Sequence, residues 1–200
     1  MDSEPRLKDA ERPSAPQGGA RPDPAQAATG AEPLFELIEL LFFAYRDFVG
    51  DADRLLESYG FGRAHHRVLH FVNRRPGLTI AELLDILKIT KQSLNRVLKE
   101  LLEKGYVESR AGVTDRRQRQ LYPTEKGTAL ALDIARLQSQ RFARVFATSS
   151  ASARQDATAF LLAMIDPAER EKVAALVQST ACFPAAPKNG DGALTSGEMS

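Results

Sequence analysis

Lys91, Gln92, Ser93, Asn95, Arg96 and Lys99 crowd into one stretch, residues 90–105, which reads TKQSLNRVLKELLEKG. Gln, Asn, Ser and Arg carry the donors and acceptors that match base edges in a DNA major groove, and Lys and Arg grip phosphates. Leu94, Val97, Leu98, Leu101 and Leu102 recur at intervals of three and four. A helix would bury those five on one side and turn the polar row outward. Thr90 is placed to cap its start, and Gly105 to end it in a left-handed conformation. Gln92, Ser93, Asn95 and Arg96 are thus candidates for base-edge contact, and Lys91 and Lys99 for phosphate.

A structural helix with a solvated face would carry the same residue types, so the neighbours decide. Thr79-Ile80-Ala81-Glu82 has the form of a capping box, opening a helix with Ile80, Leu83, Leu84 and Leu87 on its apolar side. The link Lys88-Ile89 is so short that the two helices form a helix-turn-helix. After Gly105 the hydrophobic period changes. Residues 106–109 and 118–122 read as two strands, with a loop at 110–117 that holds Gly112 and Asp115. The result is a hairpin wing whose tip is basic through Arg110, Arg116, Arg117 and Arg119, and Pro123 is expected to stop the second strand.

Charge follows the same division. The whole chain of 200 residues has a net charge of only +1, but residues 61–127 hold 14 Lys/Arg against 7 Asp/Glu, a net of +7. The remainder is correspondingly acidic. A basic middle between acidic flanks suits a polyanionic partner.

The elements around this lobe are helical. Residues 34–59 carry Leu34, Leu37, Ile38, Leu41, Phe42, Tyr45, Phe48 and Val49 as an apolar stripe, broadened by Leu40 and Phe43, with Pro33 as the expected first helical residue. A helix so apolar should be covered on several sides, which at the edge of a small domain suggests a subunit interface. A short helix at 63–73 turns Val68, Leu69 and Val72 inward. Thr124 caps a long helix towards residue 148, another follows at 152–165, and Asp166-Pro167 opens a last one. Residues 1–32 hold five prolines and a single large aliphatic, Leu7, and residues 183–200 are rich in Pro and Gly. Both are expected to be disordered tails, because they cannot bury enough apolar surface to offset the entropy of ordering.

This order of elements, with the wing reading Asp115-x-Arg117-x-x-x-Leu121-x-Pro123-Thr124-x-x-Gly127, resembles the MarR transcriptional regulators. The likeness covers residues 34–180, and Pro123 stands where that pattern usually has an aliphatic residue. It implies a mainly α fold with a small β-hairpin wing: a winged helix-turn-helix lobe on a helical dimerisation base. The expected organisation is a tail at 1–32, a dimerisation helix at 33–60, the DNA-binding lobe at 61–127, dimerisation helices at 128–182 and a tail at 183–200. By the same likeness the partners are double-stranded DNA and a second copy of the chain, with the 90–105 helix in the major groove. The wing would reach the minor groove through Arg117, with Asp115 steadying the loop, and the operator would be pseudo-palindromic. A small-molecule effector is also implied, with Phe42, Tyr45, His65 and His66 as lining candidates.

Other readings compete on fewer residues. His66 and His70 stand one helical turn apart, but with His65 they supply too few ligands for zinc, so no metal and no cofactor is expected. Cys182, the one cysteine, has no cation nearby in sequence to favour its thiolate, which argues against a redox sensor. The chain shows no glycine-rich phosphate loop and no Ser/His/Asp arrangement, so it is not expected to be an enzyme. No apolar run is long enough for a membrane span and no secretory signal is evident, which fits a cytoplasmic protein. The alternatives kept open are a winged-helix module for protein–protein contact and a redox- or metal-sensing regulator of the same fold.

Overall fold

Caps and turns cut the chain into short elements in the order the hydrophobic periods predict. The computed structural model describes residues 32–112 and 118–179. Helices α1 (Phe35–Glu57), α2 (Arg63–Arg74), α3 (Ile80–Leu87), α4 (Lys91–Glu103), α5 (Glu125–Phe146), α6 (Ala153–Ala163) and α7 (Pro167–Gln178) are joined by strands β1 (Leu78–Thr79), β2 (Val107–Ala111) and β3 (Arg119–Pro123). The expected tails at 1–31 and 180–200 fall outside the described residues. The chain divides into two units at Leu41 and Phe42. In the first, Leu34, Phe35, Leu37, Ile38, Leu40 and Leu41 are all exposed. Ile38 N–H donates to Leu34 O at 3.1 Å, so Leu34 is the first residue bonded into α1 and Pro33 precedes the helix instead of opening it.

The second unit builds its core from the faces that the periodicity marked. Val68, Leu69 and Val72 of α2, Leu83 of α3, and Leu94, Val97, Leu98 and Leu101 of α4 meet Val107, Leu121, Leu130 and Ile134. Leu69, Leu83, Leu94 and Leu101 are each at most 1% exposed, so each contributes about 2 kcal/mol through the apolar surface it removes from water. Ala52 and Leu56, at the end of α1, close this core. Leu102 differs from expectation. It is 38% exposed, because it lies at the edge of the α4 stripe over a groove shared with Ser109 and Arg119.

The sheet has three strands in the order β1-β3-β2, one more than the expected hairpin. Leu78 pairs with Leu121 and Thr79 with Gln120, a strand too short to leave any alternation in the sequence. Arg110 and Ala111 belong to β2, so the loop between the wing strands is narrower than 110–117. Pro123 stops β3 as expected, but from within, as its last residue in register opposite Val107. Thr124 N–H donates to Tyr106 O at 3.2 Å, which makes Tyr106 and Thr124 a hydrogen-bonded pair. Its neighbour, Val107 with Pro123, is then a non-bonded pair, where the missing proline N–H costs the ladder nothing.

One joint fixes the sheet to the helices. Gly105 follows α4 with φ +71°, a left-handed turn that glycine adopts at little cost. Thr124 Oγ1 donates to Gly105 O at 2.7 Å and accepts the Gly127 N–H at 3.0 Å, so one hydroxyl caps α5 and ties it to the end of α4. Gly127 sits so close that a Cβ there would fall 1.9 Å from Tyr106 O. Because the obstructing atom is backbone, Gly127→Ala should destabilise the protein by about 2–3 kcal/mol. Chemical denaturation of the two proteins side by side checks this, and equal midpoints would contradict it.

Candidate nucleic-acid interface

The helix-turn-helix is held by side-chain caps at both of its helix starts. Thr79 Oγ1 accepts Glu82 N–H at 3.2 Å while Glu82 Oε2 accepts Thr79 N–H at 2.8 Å, the reciprocal bonds of a capping box. Lys88 makes the turn in the left-handed region, φ +50°, and its N–H returns to Leu84 O. Thr90 Oγ1 accepts Ser93 N–H at 3.2 Å and donates to Ser93 Oγ at 2.9 Å. The Ser93 hydroxyl therefore keeps its own proton and one acceptor lone pair for another partner. With the apolar side of α4 buried, Lys91, Gln92, Ser93, Asn95, Arg96 and Lys99 are all exposed, as expected. Lys91, Gln92, Asn95 and Arg96 make no side-chain hydrogen bond or ion pair with another described residue, and Lys99 approaches Glu103 only at 3.8 Å.

The wing arginines are placed differently. Arg110 pairs with Glu108 and stands 4.4 Å over the Tyr122 ring. Arg119 donates to Ser109 Oγ at 3.0 Å and to Ser109 O at 2.8 Å, bracing β2 against β3. Arg110 pairs with Gln120 and Arg119 with Ala111, so the two arginines leave opposite faces of the sheet. Arg119 lies beside α4, on the groove wall that also carries Asn95 and Lys99. Asp115, Arg116 and Arg117 lie outside the described residues. Sequence reasoning passed over Glu108 and Ser109 as partners for the wing, although Glu108 stands two residues from Arg110 and so on its side of the strand.

The residues proposed for an effector are not gathered on one wall. Phe42 is exposed and meets Phe43 edge-on, with ring centroids 5.5 Å apart. Tyr45 OH accepts from Arg67 at 3.1 Å. His65 uses both ring nitrogens, Nδ1 towards Gly62 N at 3.1 Å and Nε2 towards Glu100 at 3.0 Å. Burial pushes His66 below its ordinary imidazole value; Asp53 opposes that shift, Arg67 adds to it, and a hydrogen bond with Gln138 also opposes it. None of these four lines a cavity of about 330 Å³ bounded by His70, Phe71, Arg75, Ala131, Ser139 and Leu176. That cavity joins α2, α5 and α7, residues a hundred positions apart, and no local sequence signal announces it. Among the described residues there is no cluster of three or more His, Cys, Asp or Glu side chains arranged to hold a metal, and Cys182 lies outside them. No helix among them is long and apolar enough to cross a membrane.

A capped helix-turn-helix followed by a braced wing, with an unpaired polar row on its second helix, defines a winged-helix DNA-binding regulator. Comparison with known proteins agrees. A sequence model described as MarR family matches residues 59–118. The HTH-type transcriptional regulator PetP of Rhodobacter capsulatus is 47% identical over 139 residues, which span 70% of this chain and 84% of that protein. A MarR transcriptional regulator from Methanosarcina mazei Go1 superposes with TM-score 0.57 at 25% identity, over 71% of this chain and 99% of the other. The crystal structure of an S. aureus MepR–DNA complex shares the fold at TM-score 0.53 and 17% identity, over 68% and 98% of the two chains. The chain belongs to the MarR family and is a helix-turn-helix transcriptional regulator.

His66 supplies a check on the packing behind this interface. Its folded-state pKa is depressed, so the unfolded chain binds the proton more readily. Stability should be fully present above the unfolded value of about 6.5 and decline as pH falls from there towards the lower folded value. Thermal melts at pH 7.5 and pH 5.5 should show a smaller loss in His66→Gln than in the wild type; equal losses would count against a strained neutral His66.

Proposed function

We propose that the protein works as a homodimer on a pseudo-palindromic operator, one winged lobe to each half-site. Its half-site centres lie about 34 Å apart, one turn of the duplex. The observation that carries this reading is the row Lys91, Gln92, Asn95 and Arg96, exposed and without a side-chain partner among the described residues, on a helix whose other face buries Leu94, Val97, Leu98 and Leu101. Gln92, Ser93, Asn95 and Arg96 read base edges in the major groove. Lys91, Lys99 and Arg119 take phosphates, and the wing residues Arg110, Arg116 and Arg117 address the adjacent minor groove and backbone, with Asp115 steadying the loop that carries them. For Arg110 this requires exchanging Glu108 for a phosphate, an exposed pair that costs little to open.

The second copy is inferred from apolar surface that one chain leaves uncovered. In the first unit this includes Phe35 and Ile38, and in the second Phe142, Val145, Phe160, Leu161 and Met164, each at least 44% exposed. Neither α6 nor α7 buries a single residue fully within the chain. The domain reading follows: a lobe at 61–127 between dimerisation helices at 33–60 and 128–182. A small effector acts by favouring a spacing of the two lobes that mismatches the half-sites, since only differential binding shifts a population. Phe42, Tyr45 and His66 remain lining candidates in the dimer, and the cavity beside His70 is one recess available within a single chain.

Footprinting on the DNA upstream of the protein's own gene should yield a protected two-fold site. On that duplex Arg96→Ala should lose about 1–3 kcal/mol of binding, while Lys99→Ala should flatten the slope of log affinity against log salt by about 0.9. Unchanged binding in both variants, with the fold intact, would overturn the interface. Light scattering on the purified protein should give twice the chain mass, and Phe160→Glu with Met164→Glu should lower it towards one chain. A monomeric wild type would contradict the dimer.

A further inference from the structure

The capping position at the start of α2 is occupied in an unusual way. Gly62 has no side chain to give, so the only side-chain bond at this cap runs from Gly62 N–H to His65 Nδ1, at 3.1 Å. Glu or Gln usually serves at this position. A histidine differs in one respect. With Nδ1 accepting, the neutral ring carries its proton on Nε2 and must donate it elsewhere. The acceptor is Glu100 Oε2 at 3.0 Å, on α4, thirty-five residues further along the chain. The ring is clamped for this purpose: it stacks on Phe61 with centroids 4.7 Å apart, and its side chain is only 12% exposed.

Glu100 stands four residues after Arg96 and four before Lys104, so both cations are its neighbours on the helix surface. Lys104 is occupied, donating to Tyr59 O at 3.1 Å and lying 4.5 Å from the centre of the Phe61 ring. Arg96 has no ion-pair partner among the described residues. A free carboxylate at position 100 would therefore have Arg96 as its open choice, on the very helix face that the proposed function assigns to DNA.

We infer that His65 is a positioning residue for DNA recognition: by donating Nε2–H to Glu100 it draws that carboxylate away from Arg96 and leaves the arginine free to read a base. The inference rests on Arg96 as a base-contacting residue. It makes the Phe61–His65 turn part of the specificity apparatus, although neither residue need touch the nucleic acid.

Removing the donor while keeping a flat ring, in His65→Phe, should weaken binding to a duplex enriched from a random-sequence pool by the wild-type protein, by about five-fold. His65→Gln, whose amide can accept from Gly62 and donate to Glu100, should stay near the wild type. The decisive variant is the double change His65→Phe with Glu100→Ala. It should recover wild-type affinity, because no carboxylate is left to compete, whereas a purely structural loss would persist or deepen. Glu100→Asp, too short to reach the ring, should weaken binding with His65 and the α2 cap untouched, and it serves if His65→Phe does not fold. Arg96→Ala is the control for the underlying reading. If it loses affinity while His65→Phe and Glu100→Asp do not, or if Glu100→Ala fails to rescue, the positioning role is overturned and the DNA reading stands. If Arg96→Ala binds as well as the wild type, or no duplex is enriched, both fall.

Discussion

The contact between Gly127 and the Tyr106 carbonyl is the constraint on which the DNA-binding lobe depends. No side chain can stand between α5 and the turn after α4, since a single Cβ would overlap the carbonyl oxygen. That approach lets one threonine hydroxyl, on Thr124, bond the end of α4 and the first turn of α5 together. It also places Thr124 N–H on Tyr106 O, which sets the register of β2 and β3 and so the aim of the wing. Helix α4, the wing and helix α5 are thereby referred to one point, and a displacement of any of them is felt by the other two.

Around that rigid joint the cations fall into two groups. Arg110, Arg119, Lys104 and Lys126 make internal contacts with Glu108, Ser109, Tyr59 and the Tyr106 ring. Lys91 and Arg96 make none with another described residue. Exposed contacts of the first kind contribute little stability each, but they decide which charges already have a partner before a polyanion arrives. The α3–α7 contact works in the same way: Lys172 and then Lys88 hold Asp85 down to about 2, and Lys88 also reaches Glu169 at 3.5 Å. These pairs fasten the last helix to the helix-turn-helix through charge instead of buried surface.

Apolar residues show the complementary pattern. Leu130 and Ile134 at the start of α5 are buried in the lobe, whereas Phe142 and Val145 near its end are exposed. One helix thus serves the core of the chain with its first half and presents an uncovered surface with its second. Periodicity reports both halves alike, because spacing marks which residues want burial and says nothing of what buries them.

Much of the lobe was legible in the sequence for a physical reason: its determinants are local. The Thr79–Glu82 box, the Thr90 cap, the Gly105 turn and the three-and-four spacing of Leu94, Val97, Leu98 and Leu101 each act within a few residues, so residue order alone specifies the helix-turn-helix and its polar row. Strand β1, the place of Pro123 in β3 and the exposure of Leu102 were not legible. Pairing with Leu121 and Gln120, a non-bonded register position opposite Val107, and an edge over a groove are properties of neighbours brought in from elsewhere in the chain. The same holds for the company that each charge keeps. That His65 faces Glu100, that Arg119 braces Ser109 and that Arg96 has no partner among the described residues were decided only when the tertiary structure closed loops of ten to thirty-five residues. Sequence alone determined which side chains are available for DNA; the fold decided which of them are free.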